Sequence, residues 1–154
     1  IAGFIRRELR DVWQAQGWAF RAQSGTRHLL RDAFGNPLFK LVPDIRFESA
    51  PNQTALVVDT KYKLLDPSAA KAGVAEADAY QMFAYKERYG CPRVVLLYPQ
   101  ADASVSRDFR AAAEPLPWLQ VRTVNLRREF LGQSNRELLA LELNAVLRKR
   151  KEPQ

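Results

Sequence analysis

Two carboxylates and an ammonium group mark the stretch with the most chemical potential. "PDIRFESAPNQTALVVDTKYK", residues 43 to 63, places Asp44 directly after a proline, then a fourteen-residue gap, then an apolar run ending in Asp59-Thr60-Lys61-Tyr62-Lys63. In an extended chain alternate side chains point to opposite faces. Leu56, Val58, Thr60, Tyr62 and Leu64 then share one side, and Val57, Asp59, Lys61 and Lys63 the other, which sets Asp59 beside Lys61. If a strand from Leu38 to Phe47 pairs antiparallel with this one through a turn at Pro51-Asn52, Asp44 arrives next to Asp59 on the same face. Neighbouring carboxylates repel and need a cation. Mg²⁺ meets that need because it takes hard oxygen ligands, binds through one or two carboxylates and keeps several waters; Mn²⁺ is the second candidate. Such an ion activates a water and offsets charge growing on a phosphate, with Lys61 as a compact positive charge beside it. Thr60 points its side chain inward, which leaves its backbone carbonyl as a further ligand. The expected metal set is Asp44, Asp59 and Thr60, and the expected catalytic set Asp44, Asp59 and Lys61. A solvated polar face on a half-buried strand accounts for any one of these residues, but poorly for the combination.

The helix that follows adds Asp78, Gln81 and Tyr85 at i, i+3 and i+7, so one face carries a carboxylate, an amide and a phenol. A Pro-Asp followed by Asp-x-Lys at the end of an apolar strand is the signature of the PD-(D/E)XK nuclease superfamily. "DAYQMFAY" after "VVDTKYK" resembles the Gln-x-x-x-Tyr motif of RecB-like nucleases. The pair together looks most like the nuclease domain of the McrC family, the cleaving subunits of the GTP-driven McrBC restriction system, which acts on methylated DNA. The likeness runs over about residues 1 to 130, through "VPDI", "VVDTKYK", "DAYQMFAY", "VVLLYP" and "VRTVNL".

That resemblance implies a restriction-endonuclease-like fold and a Mg²⁺-dependent endonuclease hydrolysing DNA phosphodiester bonds. It assigns Asp44 and Asp59 to the metal, Lys61 to catalysis, and Gln81 and Tyr85 to the substrate; Lys63, beside them on the strand, is expected to bind substrate as well. It also implies an McrB-like AAA+ GTPase partner for the full-length protein. Members often carry a further Glu on the first helix. Glu8 is the only carboxylate ahead of Asp11 and is not assigned that role; the matching acid is expected upstream of Ile1. The family's N-terminal docking region is missing, so residues 1 to 154 are expected to be a single nuclease domain from the C-terminal part of a longer protein. The competing class is the same fold kept as an inactive module that binds nucleic acid or a partner; the intact Asp44, Asp59 and Lys61 set favours the enzyme.

Hydrophobic periodicity supplies the elements that must position these groups. A helix opens the chain, with Ile5, Leu9, Val12 and Trp13 on one face, and stops at Gly17. Strands are expected over Trp18 to Gln23, His28 to Arg31, Leu38 to Phe47 and Ala55 to Leu65, then a helix from Val74 to Tyr89 capped at Gly90. Arg93 to Tyr98 reads as a strand buried on both faces, Ser104 to Arg110 as a short edge strand and Trp118 to Leu126 as another strand. Ser134 to Glu137 has the pattern of a capping box opening a last helix with Leu139, Leu143 and Val146 inward. The order indicates one α/β domain, a mixed sheet flanked by helices.

The bulk numbers set limits on function. A chain of 154 residues with 47% hydrophobic content can build one sizeable core. The formal charge of +7 favours polyanionic partners such as DNA. One cysteine, Cys91, excludes an internal disulfide or a four-thiolate cluster and fits a reducing, cytoplasmic setting; it reads as a small buried hydrophobe. No apolar run is long enough to span a bilayer. His28 lacks a nucleophile pattern nearby and reads as structural or DNA-facing. Trp13, Trp18 and Trp118 read as core, and Arg127-Arg128 and Arg148 to Lys151 as solvated charge or phosphate contacts.

Overall fold

The architecture follows from a strand series that alternates its burial between two helical layers. In the computed structural model, residues 1–114, 116–126 and 132–148 are described. The main sheet comprises β1 (Ala19–Ala22), β4 (Ile45–Ala50), β5 (Gln53–Thr60), β6 (Val94–Pro99), β8 (Leu119–Val124) and β7 (Ser106–Phe109), in the order β1-β4-β5-β6-β8-β7. Pairing is antiparallel from β1 to β5, parallel from β5 through β6 to β8, and antiparallel again at β7. The parallel centre reads as continuous apolar sequence because both faces are covered. On one face Leu56, Val58, Val95 and Leu97 pack with Ile5, Leu9 and Trp13 from helices α1 (Ala2–Glu8) and α2 (Arg10–Gln14), and with Leu139, Leu143 and Val146 from α4 (Gln133–Leu147). On the other, Val57, Val94, Leu96 and Val121 pack against Met82, Tyr85 and Tyr89 of α3 (Glu76–Tyr89). This is the restriction-endonuclease-like mixed sheet that the sequence led us to expect.

Several boundaries differ from the sequence reading. The expected strand from Leu38 to Phe47 is two strands in two sheets. Its first part, β3 (Pro37–Leu41), pairs with β2 (Arg27–Arg31) in a separate two-stranded sheet. Pro43 cannot donate to a ladder, so the chain leaves that sheet at Val42-Pro43-Asp44 and joins the main one at Ile45. The β4–β5 turn lies at Pro51-Asn52 as expected: proline fixes the first φ, and Asn52 takes φ 62°, the type II pattern. β5 stops at Thr60 rather than Leu65, two residues past its last partner on β4 and level with Leu97 of β6. β4 begins at Ile45, opposite Val58, and β6 ends at Pro99.

The helices show two departures. The opening helix is interrupted at Leu9 (φ −114°, ψ 21°), yet Ile5, Leu9 and Trp13 all remain buried. The capping box is not formed: α4 starts two residues earlier, with Gly132 rather than Ser134 as N-cap and no side-chain cap bond, so Ser134 already sits inside the first turn. Gly90 takes the left-handed conformation that closes α3 (φ 58°, ψ 39°), as expected. Trp13 and Trp18 are core residues, while Trp118 is half-buried against Phe83. Cys91 is buried, and that burial pushes its thiol up to about 11. Arg127-Arg128 and residues 149 to 151 lie outside the described residues. Among the described residues, no helix is long and apolar enough to cross a membrane.

Candidate active site

The ends of β4 and β5 bring the chemistry-bearing residues together. Ile45 faces Val58 in register, so Asp44 stands one step outside the ladder, opposite the terminus of β5. Its Oδ2 accepts from the Thr60 N–H at 2.9 Å and from the Thr60 hydroxyl at 2.6 Å. Asp59 lies on the α3 side of the strand, only 5% exposed. Lys61 keeps one backbone bond to the Leu97 carbonyl at 2.9 Å, and its side chain turns toward Asp59 and α3.

That ammonium is the hub of the site. Lys61 Nζ lies 2.8 Å from Asp59 Oδ2 and 3.4 Å from Asp78 Oδ1, and donates to Gln81 Oε1 at 2.7 Å. Gln81 Nε2 in turn donates to the Tyr85 hydroxyl at 3.0 Å, and that hydroxyl donates to the Val42 carbonyl at 3.1 Å. A continuous chain of contacts therefore runs from Asp59 through Lys61, Gln81 and Tyr85 to the turn carrying Asp44. The one-face spacing of Gln81 and Tyr85 on α3 makes this possible. Tyr85 is 2% exposed, so it acts on the turn directly and on the rest of the site through its bonds. Lys63, half-exposed, pairs with Asp78 Oδ2 at 2.5 Å.

Asp78 and Tyr98 join the candidate site, although the sequence reading left them unassigned. Asp78, in the first turn of α3, is shared by Lys61, Lys63 and the Tyr98 hydroxyl, the last at 3.0 Å. Its position three residues before Gln81 was the available signal. For Tyr98 the signal was register: Leu97 faces Thr60 across the parallel β5–β6 pair, so Tyr98 comes one step further out, level with Lys61. Glu8 is remote from the site and pairs with Arg136 of α4. His28 lies on β2, where its backbone carbonyl accepts from Arg88 Nε at 2.9 Å, a structural contact.

The electrostatics separate three ionic roles. Burial pushes the Asp59 carboxyl above its usual value, and the nearby Asp44 carboxylate adds to the effect; the Lys61 bond opposes both without reversing them. For Lys61, burial pulls the other way, but the Asp59 and Asp78 carboxylates outweigh it and hold the ammonium above its ordinary value. Both members of the pair thus shift upward, because the cost of burying Asp59 exceeds what one ammonium returns. Asp78 is less buried, and its bonds to Lys63 and Tyr98 overcome that burial and lower it. Burial, reinforced by neighbouring carboxylates, keeps the Tyr85 and Tyr98 phenols neutral and so available as donors.

The donor set suits a small hard divalent cation. Asp44 and Asp59 are two carboxylates close enough to repel, one of them buried and under-compensated, and Mg²⁺ binds through one or two such groups while retaining water. Among the described residues no cluster of three or more His, Cys, Asp or Glu forms a fuller cage. A cavity of about 550 Å³ reaches Asp44, Thr60 and Lys61; Asp59 does not line it.

Comparison with known proteins gives a family. The family model described as "McrBC 5-methylcytosine restriction system component" matches residues 3–99, more than half of the chain. The match spans α1 through β6 and so contains every residue of the Asp44, Asp59, Thr60, Lys61, Lys63, Gln81 and Tyr85 set. No curated protein matches the chain.

Proposed function

The chain belongs to the McrBC 5-methylcytosine restriction system component family, and on that premise we propose that it is the DNA-cleaving part of such a system, a Mg²⁺-dependent endonuclease of the PD-(D/E)XK type. The observation that carries this reading is the contact of the Lys61 ammonium with Asp59 at 2.8 Å at the open end of a strand pair, with Asp44 across the ladder. Asp44 and Asp59, with the Thr60 carbonyl, would hold the metal, which when bound polarises a phosphate and makes a water more acidic.

The protein's own residues do the rest. The Asp44 and Asp59 carboxylates orient the attacking water in line with the phosphorus. As the attacking water gives up a proton to bulk solvent and the new phosphorus–oxygen bond forms, the bond to the leaving sugar oxygen breaks, and that oxygen takes up a proton from solvent. The Lys61 ammonium, held charged by two carboxylates, is a poor base; its role is to stabilise charge accumulating on a non-bridging phosphate oxygen. Gln81 fixes the ammonium, and Tyr85 fixes Gln81 and the Asp44 turn. Lys63 offers a phosphate contact beside the reacting group. An McrB-like AAA+ GTPase would supply site selection.

The test uses full-length protein with its GTPase partner, GTP and methylated plasmid. Strand scission that requires Mg²⁺, stops on chelation and is absent from Asp59→Ala supports the proposal. Scission indifferent to the chelator, or retained by Asp59→Ala, overturns it.

A further inference from the structure

One aromatic residue at the site has no structural role to explain it. Of the chain's five tyrosines, three are buried, and each donates its hydroxyl to a definite acceptor. Tyr85 bonds the Val42 carbonyl, Tyr98 bonds Asp78, and Tyr89 lies within reach of the Gly25 and Leu41 carbonyls at 2.5 and 2.9 Å. Tyr62 is 96% exposed, the most exposed large hydrophobic side chain among the described residues. A ring in water contributes nothing to the core, so its face is free for a ligand.

Its position indicates the use. Tyr62 directly follows Lys61, precedes Lys63, and lines the same cavity as Asp44, Thr60 and Lys61. The cavity's other walls include the apolar side chains of Ile45, Leu97 and Val124. Thus a free π-face, the Lys61 side chain and an apolar recess meet beside the carboxylate proposed to face the phosphate. Nucleobases stack on aromatic side chains with little regard for sequence, while cations track the phosphates on either side. A phosphodiester seated at Asp44 and Lys61 carries its neighbouring base to the Tyr62 side of the cavity.

Resting on the nuclease reading of the site, we infer that Tyr62 is a stacking platform for the nucleobase next to the reacting phosphate. In a closed duplex both faces of a base are covered by its neighbours. Stacking on Tyr62 therefore selects a strand whose base at that position is already unpaired or is drawn out of the helix. The substrate class is DNA that is locally single-stranded at the point of cleavage.

The inference is tested by binding without turnover. Full-length protein is titrated, in Ca²⁺, against a labelled oligothymidylate and against the same backbone carrying a run of abasic nucleotides. Wild type should prefer the oligothymidylate by roughly tenfold, the scale of one base–aromatic stack. Tyr62→Ala should lose that preference without weakening abasic binding, and Tyr62→Phe and Tyr62→Trp should keep it. Equal affinity of wild type for the two oligonucleotides, or a preference unchanged in Tyr62→Ala, overturns the inference. So does a Tyr62→Ala defect confined to association with the GTPase, which would make the ring a protein contact. Because no bond is cut in this assay, its result stands apart from the nuclease reading: plasmid scission by wild type and by Tyr62→Ala, run alongside, shows which of the two has failed.

Discussion

At the scale of single residues, Asp59 is the clearest sign that the fold holds something less stable than it could. Its carboxyl is raised by burial, so between the ordinary carboxylate value and the raised one the folded protein binds more protons than the unfolded chain. Metal-free stability therefore falls as pH rises through that window. Asp78, lowered by its partners, acts oppositely and at lower pH: its contribution is present above the ordinary value and is lost as pH falls through its depressed one. Asp59→Asn should consequently raise the metal-free melting temperature at neutral pH by about 2–4 °C, a change of about 1 kcal/mol in a chain of this size. The gain should vanish once the pH falls below the carboxylate range. Scanning calorimetry of both proteins across that range checks it, and a lower neutral-pH melting temperature for the variant would mean that the Lys61 pair outweighs burial. Asp44, Asp59, Thr60, Lys61, Lys63, Gln81 and Tyr85 were all legible as site candidates, because strand alternation and helical spacing are local rules. Asp78 and Tyr98 were not fully legible, because their importance arises from converging on one ammonium across separate elements.

At the scale of elements, the site is held by the break between β3 and β4. Sequence alone ran these strands together, since Leu38 to Phe47 is apolar enough for one strand and only Pro43 argues otherwise. The break turns Val42 to Asp44 into a turn that α3 grips through Tyr85 and Tyr89, whose hydroxyls meet the Val42 and Leu41 carbonyls. Tyr85→Phe leaves Gln81 Nε2 and the Val42 carbonyl without this partner. It should cost about 1–3 kcal/mol in a urea titration and lower scission as well, because the turn carries Asp44. If Tyr85→Phe keeps both its urea midpoint and its specific activity, the grip of α3 on the turn is of no consequence. Glycine offers a second check on the same region. Gly25, φ +77°, sits where an added Cβ would meet the Arg46 guanidinium, whereas Gly90, φ +58°, has open space around it. Gly90→Ala should cost about 1 kcal/mol, the strain of a left-handed alanine, and Gly25→Ala more. Thermal denaturation ranks the two.

At the scale of the whole molecule, the layered order of strands and helices was legible because each face of the sheet leaves its own periodicity in the sequence. Element ends were less so: β5 stops at Thr60, short of the expected Leu65, and α4 begins ahead of its apparent capping box, neither of which a local pattern records. On the proposed metal site, Mg²⁺ at ten times its dissociation constant should stabilise wild type by about 1.4 kcal/mol, read as a rise in melting temperature that Asp59→Ala abolishes. Unchanged stabilisation in Asp59→Ala would remove Asp59 from the metal site. The central claim is that one lysine, fixed by two carboxylates and an amide, stabilises the transition state of phosphodiester hydrolysis rather than binding metal or substrate. The most direct measurement is the scission rate of Lys61→Ala in the full-length protein with its partner, alongside its Mg²⁺-dependent melting shift. The account predicts scission reduced by about 10²–10³ with the Mg²⁺ shift retained; scission at the wild-type rate with the shift retained would contradict it.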